Sequence, residues 1–226
     1  MGSGEPGKGI EMKTPQKGFT LVEIAIVLVI IGLLLGGILK GQEMITQAKI
    51  KNVVADFTGV SAAYYGYQDR YRAIPGDDPN AASRWAVAPP AVSGDGNGVV
   101  GGTYNEATDN TQESRKWWDH LRRAGFVSGS GYTQPFNAVT GMIGVQTGNG
   151  AGTGAAMGGI SGLLMCSANL PDKIAIAADM QMDDGMPDKG TVRADLQTTP
   201  NPALDDTPKT AYEETGTNVY VLCRSL

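Results

Sequence analysis

The chain has 226 residues, 41% of them hydrophobic and 18% charged, and a formal net charge of −5, enough mass for one sizeable domain plus an extended element. The acidic balance and the absence of Lys/Arg clusters argue against a nucleic acid as the main partner, because phosphate binding needs concentrated positive charge. The 32 glycines, many of them between Gly94 and Gly162, predict turns and irregular structure in that half and make it a poor place for a rigid active site.

Residues 1–18 set Lys8, Lys13 and Lys17 against Glu5 and Glu11 and hold no apolar stretch, unlike a secretory signal peptide. Lys13 and Lys17 favour the cytoplasmic side of a membrane. From Phe19 to Leu39 runs an apolar segment whose one charge is Glu23, and as a helix it would extend about 31 Å, enough to cross a hydrocarbon core. A carboxylate in such a segment is costly unless it meets a cation, and a cut after Gly18 would create one, the α-amine of Phe19.

Lys17-Gly18-Phe19-Thr20-Leu21-Val22-Glu23 and the run up to Leu39 resemble the processing and assembly segment of type IV pilins and type II secretion pseudopilins. The resemblance implies that residues 1–18 are a leader removed by a prepilin peptidase, that cleavage falls between Gly18 and Phe19, that Phe19 is N-methylated, and that Glu23 acts in assembly. Met12–Gly18 alone would make a more typical leader. The resemblance further implies insertion in the inner membrane, engagement of assembly machinery there, and a periplasmic or extracellular filament built from copies of the chain. Gly32, Gly36, Gly37 and Gly41 weaken the helix by roughly 1 kcal/mol each. They suit either close packing of membrane helices or the local unwinding the family implies. Many type IVa pilins carry proline near here, where this chain has Lys40.

Beyond residues 19–39, residues 40–74 predict an amphipathic continuation of the same helix. Ile50, Val53, Phe57, Val60, Tyr64, Tyr67 and Tyr71 are spaced alternately three and four apart and form one stripe for a globular domain to pack on. Ile74-Pro75-Gly76 ends it. Residues 75–226 make the globular domain. Within it, residues 113–126 predict a helix with Trp117, Trp118, Leu121 and Ala124 on its apolar face and Gly125 as its stop, which puts His120 on the surface. Residues 161–166, 191–196 and 218–224 predict strands, and 171–182 predicts a helix opening on Pro171. The sum is an α+β fold, a long N-terminal helix with a membrane-spanning first half packed on a small antiparallel sheet, as in pilins.

The glycine-rich stretch 148–154 lacks the Lys-Ser/Thr of a phosphate loop and predicts a flexible loop. No triad or metal-hydrolase signature is visible, so the chain does not read as an enzyme. Cys166 and Cys223 lie 57 positions apart; an oxidising compartment favours pairing them, against two buried free thiols, and in pilins a similar disulfide closes a C-terminal loop. No cofactor is required. Two acidic turns could hold Ca²⁺: the one with Asp183, Asp184 and Asp188, which resembles the DDGxPxxG turn of pilin-like proteins, and the one with Asp95 and Asn97. A single-pass anchor tethering a periplasmic binding domain is the alternative to a filament subunit. It accounts for the apolar run but not for Gly18, Phe19 and Glu23 together.

Overall fold

The computed structural model describes Gly18 and residues 20–149, 156–204 and 209–226. Helix α1 runs unbroken over Leu21–Tyr71, straight through Gly32–Gly41. Its residues fall into two compact units, one ending at Met44 and the other starting at Ile45. In the first, every side chain from Leu21 to Lys40 is exposed, and the segment is long and apolar enough to cross a membrane. In the second, Ile50, Val53, Phe57, Val60, Tyr64 and Tyr67 are buried and Tyr71 is half-buried, so the stripe read from the spacing is the core-facing side. The helix stops three residues short of the expected end at residue 74, where Arg72 turns to positive φ and its N–H bonds to the Gln68 carbonyl.

After the short helix α2 (Ala81–Arg84) comes α3 (Glu113–Arg123), which ends just before Gly125 at φ +80°. Strand β1 (Ile143–Asn149) follows, then β2 (Ser161–Pro171), α4 (Asp172–Met182), β3 (Val192–Leu196) and β4 (Val219–Ser225). The sheet is antiparallel throughout, in the order β1-β2-β4-β3. The fold is therefore α+β in a pilin-like arrangement.

Alternation along the two central strands divides the core. Met165, Tyr220 and Leu222 face the helical side, where Phe57, Tyr67, Trp117, Leu121 and Ile174 are buried. Leu164, Cys166, Val221 and Cys223 face the other side, with Tyr104, Met157 and Ile160. Cys166 and Cys223 lie opposite one another on β2 and β4, Cα–Cα 4.0 Å, and are disulfide-bonded.

Strand β1 is absent from the sequence reading, which gave residues 148–154 to a loop; Gly148 and Asn149 end the strand, and 150–154 lie outside the described residues. Gly144 explains both the weak signal and the position. A Cβ there would stand 1.9 Å from the Tyr104 carbonyl oxygen, so the loop before α3 can lie along this edge only over glycine. Gln146 and Thr147 then secure the loop, Oε1 accepting from Tyr104 N–H (3.1 Å) and Oγ1 from Val100 N–H (2.9 Å).

Candidate functional site

The N-terminus of α1 is built by Thr20 and Glu23. The Thr20 hydroxyl accepts from Glu23 N–H (3.3 Å), and one Glu23 carboxylate oxygen accepts from both Thr20 N–H (2.8 Å) and the Thr20 hydroxyl (2.7 Å). This is a capping box, legible as Thr-x-x-Glu and missing from the sequence reading above. Glu23 thus has a partner inside its own chain. Gly18 is exposed beside this cap, whereas Phe19 and leader residues 1–17 lie outside the described residues.

His120 is a correction. The periodicity puts it on a polar surface, yet it is fully buried because the segment after α1 folds over α3. Its Nδ1 accepts from Gly76 N–H (2.9 Å), so the proton sits on Nε2 and is donated to the Val92 carbonyl (2.9 Å). Burial holds its pKa below the ordinary value, against the opposing pull of the Val92 carbonyl. Both nitrogens are spent on backbone, and the ring stacks on Tyr67. It cross-links structure and faces no substrate.

The two acidic turns differ. Among the described residues, the acidic ligand atoms lying within 4.8 Å of one another belong to Asp77, Asp95 and Glu113, and Asp183, Asp184 and Asp188 form no such group. Asp95 thus acquires neighbours that no local motif announces, from 18 residues before and 18 after. Asp77 is saturated by backbone: its oxygens accept from the N–H groups of Gly96 (2.7 Å), Asn97 (3.1 Å) and Gly98 (2.8 Å). Glu113 accepts from Asp95 N–H (3.0 Å) and Gly101 N–H (2.9 Å). The Asn97 side chain closes back on Asp95 (2.8 Å). These carboxylates wind the loop around themselves.

In the later turn, Asp183 accepts from Val192 N–H (2.8 Å) and Thr191 N–H, and Asp184 from Met186 N–H (2.9 Å). Asp188 and Asp179 each keep one buried oxygen without a partner. Ca²⁺ takes six to eight converging oxygens, and among the described residues neither of these two belongs to a converging acidic group. Asp179, on α4 and fully buried, accepts from the Tyr212 hydroxyl at 2.7 Å. Burial first, then the Asp184 and Asp183 charges, push its pKa up to about 6 against the pull of that hydroxyl.

A raised folded-state pKa means that the folded chain holds the Asp179 proton while the unfolded chain, near 3.8, has lost it. Stability should therefore fall as pH rises from about 4 to about 6, by on the order of 2–3 kcal/mol, and stay at the lower level above that window. Asp179→Asn should flatten this slope and raise stability at pH 7. Denaturant titrations of both proteins across pH 4–7 check it; parallel pH profiles would contradict the assignment.

Residues 13–39 match the prokaryotic N-terminal methylation motif, the leader signature of type IV pilins and pseudopilins. No curated protein and no solved structure matches the chain. The signature supports processing by a prepilin peptidase, and the apolar helix supports anchoring in a membrane.

Proposed function

We propose that the chain is a structural subunit of a type IV pilus or related filament, cleaved after Gly18, methylated on Phe19 and assembled through the first part of α1. The observation that carries the reading is the conjunction of the motif at residues 13–39 with a helix whose apolar side chains are all exposed from Leu21 to Leu39. Side chains of this kind need lipid before assembly and an equally apolar bundle of neighbouring helices after it. The partners are then a prepilin peptidase, the inner-membrane assembly machinery and further copies of a pilin-like chain. The simple membrane anchor leaves the Gly18-Phe19 junction and Glu23 without a purpose.

Gly18→Leu tests the reading. A peptidase that works at this junction needs a small residue before the cut, and Gly18 is exposed with open space around its Cα. The variant should keep its leader and accumulate in the membrane at full length, seen as a single slower band on a gel. Leader removal at the wild-type rate would contradict the proposal.

A further inference from the structure

A second feature of the globular unit stands apart from the N-terminal segment. A half-open cavity of about 450 Å³ lies between the last turns of α3, the loop at 129–132 and the prolines 89 and 90. That volume is in the range of small-ligand pockets. Arg122 shapes it by folding the loop back on the helix: Nε donates to the Ser128 carbonyl (3.2 Å) and a terminal nitrogen to the Gly131 carbonyl (2.7 Å). Asp119, 1% exposed, lines the cavity and holds Arg123 Nε at 2.7 Å.

The lining joins three chemistries. Arg122 and Arg123 against Asp119 leave one excess positive charge, in a chain whose net charge is −5. Asp119 fixes Arg123, whose remaining guanidinium N–H groups are donors for neighbouring hydroxyl oxygens. Tyr132, Pro89 and Pro90 offer apolar faces for the C–H side of a ring. Arg122, half-buried, has backbone carbonyls rather than a carboxylate as its hydrogen-bond partners and lies 5.9 Å from the Trp118 ring. A guanidinium so placed is complemented by an anion.

We propose that this cavity binds a saccharide unit carrying one carboxylate, its acid on Arg122, its hydroxyls on Arg123, and its ring against Tyr132. The single excess charge matches a monoanion better than a phosphate dianion, and Arg123 donates to hydroxyl oxygens that a plain carboxylate lacks. The proposal is independent of the filament reading and survives its failure.

The test is titration of the full chain in detergent micelles with glucuronate, glucose and inorganic phosphate, followed by calorimetry and by tryptophan fluorescence, since Trp118 sits against Arg122. Glucuronate should bind saturably at one site, and glucose about tenfold more weakly. Phosphate should not compete. Because Arg122→Gln also releases the loop, Tyr132→Ala, which leaves both carbonyl contacts of Arg122 in place, is the deciding variant and should weaken glucuronate by about tenfold. No saturable glucuronate binding, equal affinity for glucose, tighter binding of phosphate, or wild-type affinity in Tyr132→Ala would each overturn the proposal.

Discussion

Glu23→Ala is expected to leave leader removal and membrane insertion intact and to reduce filament yield to near zero. In an apolar bundle a carboxylate costs several kcal/mol unless it is paired, and the α-amine freed at Phe19 is the cation a cleaved neighbour would bring. The capping box adds a second role for the same side chain, because Glu23 already accepts two hydrogen bonds from Thr20. Losing a cap costs about 1 kcal/mol, small for a helix of 51 residues, so Ala should not unfold it. Glu23→Gln separates the roles, since glutamine can serve at this position of a capping box but carries no charge. Sheared filament yield, with processed monomer in the membrane fraction as control, is the readout. If Gln fails as Ala does, charge is what assembly requires. Full yield from Gln would assign Glu23 to helix capping, and full yield from Ala would remove it from assembly altogether.

Asp78→Ala should be the most damaging single change in the globular unit. The carboxylate is fully buried and accepts from the Tyr67 hydroxyl (2.6 Å), from Asn80 N–H (2.8 Å) and from Arg84, whose guanidinium lies 4.3 Å from the Tyr71 ring. Burial alone would raise its pKa, but the bonds from Tyr67 and Arg84 outweigh it and hold the group below the ordinary carboxylate range. Deleting the carboxylate strands the Tyr67 hydroxyl in the core and leaves the half-buried Arg84 guanidinium without its partner, at a cost of about 3 kcal/mol. For a chain this size the melting temperature should drop by on the order of 10 °C. A loss below about 1 kcal/mol would mean that packing against Trp85 and His120 holds the segment without the network.

How much was legible follows from where each signal is stored. The stripe from Ile50 to Tyr67 is written at helical spacing and needs no partner to be recognised, and β2, β3 and β4 are short β-compatible runs bounded by turn residues. Strand β1 is diluted by Gly144 and Gln146, which meet the loop at Tyr104, and by Gly148, which lies against the Ile160 carbonyl, so pairing with β2 overrides local preference. His120 misled for the same reason: its burial depends on Gly76 and Val92, 44 and 28 residues away. The N-terminal site is local by contrast, with Gly18, Phe19, Thr20 and Glu23 within six consecutive positions. The grouping of Asp77 and Glu113 with Asp95 has no local signature and appears only once the loop closes.

The central claim is a cut between Gly18 and Phe19 in the chain that enters filaments. Mass spectrometry of the N-terminal peptide from sheared surface material, or from the membrane fraction of cells making the protein, tests it in one measurement. The account predicts a peptide beginning at Phe19 with one added methyl on its amine. A peptide that reads continuously through Lys17-Gly18-Phe19 in assembled protein would contradict it.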